Sequence, residues 1–293
     1  MAAPALPRSF LYVPAVRPDL FAKASDGGAD AVVLDLEDAV PLPLKSQARH
    51  HVRGWLADRH SHPGRLRARR VAEQWVRVDP QALPADLEAV VGPSLDGIFL
   101  AKCTTGSLHR LESVLADLEP ERGLRGGSVQ VIGLVESAEG ILSLAELVRH
   151  PRVVTLGIGE ADLLGDLRMT RSDLSAAAVD LLRTQVVLHC AAAGLSAPVA
   201  PTSTAFRDLD AFARTSRHLL DLGFRSRTAV HPGQVGVINE VFSPDEKAVT
   251  EALAVVARFE AAEGGVTTDS AGRLIDAAVV REAQEILSRR SRQ

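Results

Sequence analysis

The residues best suited to chemistry in this chain sit at the ends of short apolar runs. Glu136 closes the run Val129–Glu136, and Gly159-Glu160-Ala161-Asp162 closes and follows the run Val153–Gly159. Asp35-Leu36-Glu37-Asp38 ends another run, Ala31–Glu37; Arg77 lies inside Trp75–Asp79, and Lys102 ends Gly97–Lys102. If the runs are neighbouring strands, the carboxylates of Glu136 and Asp162 face each other across about 5 Å of sheet. Two converging carboxylates, with water and substrate oxygens completing the shell, describe a Mg²⁺ site. No histidine accompanies the pair, which disfavours zinc. Spacing alone leaves a second reading open, because each acid also precedes a helical stretch and could cap it. Arg77, inside a five-residue strand, points either to a site or into a buried ion pair. Beside a divalent metal it could bind a substrate carboxylate bidentately and oppose charge developing on an enolate.

Such residues need a scaffold that brings strand ends together. Eight candidate strands recur along the chain: Ser9–Val13, Ala31–Glu37, Trp75–Asp79, Gly97–Lys102, Val129–Glu136, Val153–Gly159, Ser196–Val199 and Thr228–His231. The long ones are continuously apolar, as strands covered on both faces should be. Between them lie helical periodicities at Pro18–Ser25, Pro43–Arg59, Ala85–Val91, Ser107–Leu118, Ala138–Arg149, Arg171–Ala193 and Asp208–Leu222. Strands alternating with helices at this length predict an α/β fold, a (β/α)₈ TIM barrel, with catalytic residues at the strand ends. An open doubly wound sheet would need a glycine-rich turn after the first strand, where this chain has Pro14-Ala15-Val16-Arg17-Pro18. The spacing divides the chain into a barrel over 1–240 and a C-terminal helical extension over 241–293. That extension has helices at Asp245–Glu263 and Ala277–Arg290. Lying outside the eight repeats, it is free to act as a lid on a barrel mouth or on a neighbouring subunit.

Composition excludes several classes. The 293 residues carry 33 basic and 37 acidic side chains, net −4, so no general nucleic-acid footprint exists. No stretch reaches the roughly 20 apolar residues of a membrane span, and MAAPALPRSF lacks a signal-peptide core. Two cysteines, Cys103 and Cys190, form neither a disulfide framework nor a zinc cluster, so a reducing, cytoplasmic setting is expected. The stretch Arg59–Arg70 reads as a solvated basic loop or as a patch for a phosphate-bearing ligand. Only four of the basic residues are lysines, Lys23, Lys45, Lys102 and Lys247.

Several segments together resemble a known family. Phe10-Leu-Tyr-Val-Pro-Ala-Val-Arg-Pro-Asp19, the run Gly28–Pro41 with Lys45 and Arg49, and Val76-Arg77-Val78-Asp79 are similar to the opening of the citrate lyase β-subunit and malyl-CoA lyase group. That group belongs to the HpcH/HpaI aldolase–citrate lyase family. The likeness continues through Gly133–Ala138, Gly159–Leu163, Ala229–Gln234, Ile238-Asn239 and Leu274–Val280. The resemblance implies a Mg²⁺-dependent barrel, assembled as a homotrimer or hexamer. It implies that the enzyme makes or breaks the carbon–carbon bond between an acyl thioester, on CoA or a carrier protein, and an α-keto acid. By matching position it makes Glu136 and Asp162 the metal ligands and Arg77 the substrate-carboxylate binder. It places Glu37 and Asp38 beside the metal, Pro14, Arg17 and Lys23 near the CoA portion, and Asp276 as an acid/base reaching a neighbour's site.

The chain also departs from the family pattern. After the fourth strand it reads Leu100-Ala101-Lys102-Cys103-Thr104 instead of Leu-Pro-Lys and an acid. After the seventh it reads Ala197–Phe206 with no acid before Asp208. The metal motif is Glu-Ala-Asp rather than Ala-Glu-Asp, with Asp162 in register. His231 reads as structural, Cys103 and Cys190 as buried small hydrophobes, and Tyr12, Trp55 and Trp75 as packing residues. The expected activity is cleavage or formation of a malyl-, citramalyl- or citryl-type thioester. The alternatives are thioester hydrolysis, aldol cleavage of a free hydroxy-keto acid, and a non-catalytic barrel that binds acyl-CoA or a partner. The missing acids favour the last; joint retention of Arg77, Glu136, Asp162 and Asp276 opposes it.

Overall fold

Apolar runs covered on both faces are stable only inside a layered fold, and here eight of them close on themselves. The computed structural model describes residues 6–61 and 72–290. Its parallel strands are β1 (Ser9–Pro14), β2 (Ala31–Asp35), β3 (Glu73–Val78), β4 (Gly97–Leu100), β5 (Gln130–Val135), β6 (Val153–Ile158), β7 (Val199–Ala200) and β8 (Ser226–Ala229). They form a closed barrel in chain order, with β1 pairing β8 through Phe10 and Thr228, so the barrel itself has no open edge. The fold is the expected (β/α)₈ barrel. Its helices are α1 (Phe21–Ser25), α2 (Lys45–Ser61), α3 (Leu83–Val90), α4 (Thr105–Glu121), α5 (Ala138–Leu142), α6 (Leu144–Leu147), α7 (Glu160–Asp166), α8 (Ala176–Ala192), α9 (Leu209–Asp221) and α10 (Gly233–Val241). Among the described residues no helix is long and apolar enough to cross a membrane.

Alternation along the strands decides what fills the barrel. Phe10, Trp75 and Phe99 meet edge-to-face at 5.2–5.7 Å in a buried cluster with Ala31, Val33, Ile132, Leu134 and Val199. Gly97 is required there, because a Cβ at that position would overlap the Trp75 ring. Two residues further along β2 and β3 the inward positions become Asp35 and Arg77, which pair in register. The barrel is thus apolar below and charged at its mouth.

Strand and helix limits differ from the sequence pattern where side chains intervene. β7 begins at Val199, not Ser196: Pro198 has no N–H to donate, and the Ser196 carbonyl accepts from the Thr155 hydroxyl at 2.7 Å. β8 ends at Ala229, because the Gln234 side chain accepts from the N–H groups of Val230 and His231. The helix expected over Ala138–Arg149 breaks at Ser143 into α5 and α6. α8 starts at Ala176 because hydroxyl–backbone bonds of Ser172 and Ser175 hold the preceding turn. Most of the basic stretch Arg59–Arg70 lies outside the described residues.

The described chain divides into two compact units between Asn239 and Glu240. In the second, α11 (Glu246–Ala261) and α12 (Ala277–Arg290) flank an antiparallel hairpin of β9 (Thr267–Thr268) and β10 (Leu274–Ile275). Asp245 and Asp276 begin the two helices by accepting backbone N–H groups. The hairpin occupies the stretch between the two helices; Asp269 closes its turn by accepting from Ala271 and Arg273.

Candidate active site

The charged layer is built from the ends of β2, β3, β4 and β5. Asp35 is buried and accepts from Arg77 Nε at 2.7 Å and Nη2 at 2.6 Å, a two-pronged pair. It also accepts from the Glu37 N–H at 2.9 Å, which shapes the acidic turn. Glu37 is buried as well, 3.1 Å from Arg77 Nη1 and 2.6 Å from Lys102 Nζ. Lys45 braces the turn from below by donating to the carbonyls of Leu36 and Glu37. Burial works against the Arg77 charge, but the Asp35 contact outweighs it and holds the guanidinium protonated. Its face covers the Tyr12 ring at 5.0 Å.

Lys102 follows β4 in the left-handed region, with φ 43°. From there its backbone N–H donates to Glu136 Oε2 at 2.6 Å, while its ammonium lies 3.6 Å from Asp38 and 3.8 Å from Asp162. The hydrogen bond to Glu37 raises the Lys102 pKa. Glu136 is 7% exposed, and burial, reinforced by the charges of Glu37 and Asp162, pushes its carboxyl up to about 7 despite the Lys102 N–H and Arg77. Gly159 makes room for it, since a methyl group at 159 would overlap the Glu136 carboxylate.

The capping alternative does not describe these acids. Ser137 and Asp166 supply the bonds to the first amides of α5, and α7 has no side-chain cap. Asp162, in the first turn of α7, is 45% exposed at the mouth. Glu160 turns the other way and is buried in ion pairs with Arg171 and Arg183. The Glu-Ala-Asp order therefore spends its glutamate on packing α7 against α8. Among the described residues no group of three or more His, Cys, Asp or Glu side chains could hold a metal. The donor set nevertheless fits a hard divalent cation taken up with substrate and water. It consists of a buried carboxyl destabilised as an anion, a half-exposed aspartate, and a rim whose carboxylates already gather around an ammonium.

Two cavities open here. The outer, about 400 Å³, is lined by Tyr12, Pro14, Asp35, Asp38, Arg77 and Thr202 among others. The inner, about 60 Å³, shares Tyr12, Arg77 and Thr202 and adds Glu136 with Leu134, Ile158 and Val199. Thr202 thus occupies the loop after β7, where no acid is present. Glu37, Asp38, Arg77, Lys102, Glu136 and Asp162 are brought together, with Pro14 on the cavity wall. Arg17 is exposed and paired with Asp19 beyond β1, and Lys23 is exposed on α1. Asp276 belongs to the second unit, where it caps α12; those N–H bonds lower its pKa. His231 keeps a structural place, stacked on Phe206 at 5.0 Å and accepting from Gly233. Cys103 is buried, and burial pushes its thiol up to about 12, so it stays protonated. The sequence reading did not single out Asp35 on its own as the partner of Arg77. The signal available was an acid at an inward strand position beside an inward arginine.

Comparison with known proteins gives the same picture. The HpcH/HpaI aldolase/citrate lyase family model matches residues 8–232. Citrate lyase subunit beta of Leuconostoc mesenteroides subsp. cremoris is 30% identical over 291 residues, covering 96% of this chain and 92% of that protein. Two proteins of Cereibacter sphaeroides (strain ATCC 17025 / ATH 2.4.3) also align. They are a (3S)-malyl-CoA thioesterase, 32% identical over 87% of this chain and 84% of its own, and an L-malyl-CoA/beta-methylmalyl-CoA lyase, 29% identical over 97% and 95%. The crystal structure of CitE from Mycobacterium tuberculosis, in complex with magnesium, acetoacetate and coenzyme A, superposes with a TM-score of 0.73 at 25% identity. It covers 98% of this chain and 99% of that one. Fold, mouth chemistry and sequence likeness together place this chain in the HpcH/HpaI aldolase/citrate lyase family.

Proposed function

We propose that the protein is a Mg²⁺-dependent carbon–carbon lyase. It cleaves or forms a short β-hydroxyacyl thioester of the malyl, citramalyl or citryl type, giving an acyl thioester and an α-keto acid. The observation that carries this reading is Arg77, locked on Asp35 beside buried Glu136 at a barrel mouth where a cation and an anionic substrate can meet. Glu136 and Asp162 would hold the ion, which when bound lowers the pKa of the substrate hydroxyl and stabilises the keto-acid oxygen. Asp35 takes two of the five Arg77 N–H donors and Glu37 stands by a third. The remaining donors can receive the substrate carboxylate or the charge that develops on the thioester enolate. Glu37 and Asp38 hold Lys102, whose backbone in turn orients Glu136. Pro14, Arg17 and Lys23 are the residues assigned to the CoA portion, a role that the place of Pro14 on the outer cavity wall supports.

Asp276 is the proposed acid/base, protonating the enolate carbon or removing a methyl proton in the reverse direction. We assign it to the mouth of a neighbouring subunit in a homotrimer or hexamer, with the unit beyond residue 240 acting as a lid that keeps water from the enolate. Leu181 and Leu188, seven residues apart on α8 and 59% and 64% exposed, with Leu174 98% exposed in the turn before it, support an assembly that covers α8. Two unbridged, buried cysteines suit a reducing cytoplasm.

The test is incubation with Mg²⁺ and a panel of hydroxyacyl-CoAs, following keto acid and free CoA separately. Keto acid with acyl-CoA is the expected result. Release of free CoA instead selects the thioesterase reading, which the 32% likeness to a malyl-CoA thioesterase supports. Cleavage of free hydroxy-keto acids alone selects an aldolase. Absence of turnover on every substrate, or undiminished turnover in excess chelator, overturns the proposal.

A further inference from the structure

We infer that the Tyr12 hydroxyl is a substrate hydrogen-bond donor, placed to hold an oxygen of the α-keto acid fragment beside Arg77. The inference rests on the lyase reading above. The sequence presents Tyr12 as a packing side chain, and its ring does pack. It meets Phe99 at 6.2 Å in an edge contact and lies under the Arg77 guanidinium. Each of those contacts uses the ring, so phenylalanine would serve them equally.

The hydroxyl has a different status. Among the described residues it has no hydrogen-bond partner, whereas the neighbouring Asp35, Glu37 and Glu136 each accept from a protein donor. Tyr12 lines both mouth cavities. A phenol oxygen in a cavity wall, without a protein partner, bonds to water or to a ligand. Burial, together with the charges of Asp35, Glu136 and Glu37, raises its pKa despite Arg77, so it remains a donor at working pH.

The cavity indicates which ligand atom it meets. The inner chamber is lined by the polar side chains of Tyr12, Arg77, Glu136, Thr202 and Thr228 together with the apolar Leu134, Ile158 and Val199. A short α-keto acid suits this mixed lining, with polar groups for its carboxylate and carbonyl and apolar ones for a hydrogen or methyl group. Tyr12 then donates to an oxygen that Arg77 also faces. The carbonyl of the keto acid gains charge as the bond forms, so the hydroxyl strengthens its contact in the transition state.

The experiment compares wild-type protein with Tyr12→Phe in three measurements. These are Mg²⁺ affinity without substrate, pyruvate and glyoxylate affinity of the Mg²⁺-loaded protein by calorimetry, and kcat and KM for the preferred hydroxyacyl-CoA. Tyr12→Phe is expected to melt and bind Mg²⁺ as wild type does. It should bind the keto acid more weakly and lose about 10- to 100-fold in kcat/KM. Wild-type keto-acid affinity and kcat/KM in Tyr12→Phe would overturn the role of Tyr12 while leaving the lyase reading intact. Early melting or weakened Mg²⁺ binding in the variant would assign the residue to packing, and also overturn it. Wild-type protein that neither binds these keto acids nor turns over any thioester overturns both.

Discussion

Replacing Glu136 by Gln should stabilise the metal-free protein at alkaline pH. The carboxyl is buried, and its folded pKa is raised from 4.5 to about 7. Below pH 4.5 both folded and unfolded chains hold the proton, and the residue contributes no penalty. As pH rises through the window from 4.5 to about 7 the unfolded chain releases its proton first. Stability therefore falls over that range and levels off above it. The full penalty is roughly 3 kcal/mol. Glutamine retains an oxygen for the Lys102 N–H and carries no charge to desolvate. In EDTA at pH 8, Glu136→Gln should therefore be more stable than wild type by roughly 3 kcal/mol, and at pH 5 by less than about 1 kcal/mol. Urea unfolding followed by tryptophan fluorescence reads this directly, because both tryptophans, Trp55 and Trp75, lie in the barrel. Saturating Mg²⁺ should then raise the stability of wild type and leave the variant unchanged. Equal stabilities at pH 8, or a difference that does not change with pH, would refute the view that this mouth stores an unfavourable charge for a cation to neutralise.

Two further perturbations separate geometry from chemistry. Gly159→Ala drives a methyl group into the Glu136 carboxylate, so Mg²⁺ affinity should fall about tenfold or more while the protein still folds; wild-type affinity in a Mg²⁺ titration would dismiss the glycine's role. Asp276→Asn keeps a side-chain oxygen to cap α12 but removes the proton acceptor, so exchange of acetyl-CoA methyl protons with D₂O should stop while melting and Mg²⁺ binding persist; unchanged exchange would remove Asp276 from the reaction.

Much of this site is legible along the chain because a parallel barrel turns position in sequence into position in space. Each strand delivers its last residues to the same mouth, so the acids after β2, β5 and β6, Arg77 in β3 and the lysine after β4 can be assembled on paper. The errors fell where side chains override periodicity. Pro198 and Thr155 shorten β7, Gln234 ends β8, and the serine turn delays α8. The loop from Glu263 to Asp276 hides a hairpin because strands of two residues carry no measurable alternation.

The sequence by itself determined the barrel, the family and the residues gathered at its mouth, since apolar period and motif order survive without any coordinates. Only the tertiary structure decided what each of those residues does with its neighbours. It paired Arg77 with Asp35 from the next strand and turned Glu160 away from the site while Asp162 stayed at it. It also left the Tyr12 hydroxyl on a cavity wall without a partner among the described residues. The physical reason is that hydrogen-bond satisfaction and burial depend on groups brought together from different strands, and no local pattern encodes which donor meets which acceptor.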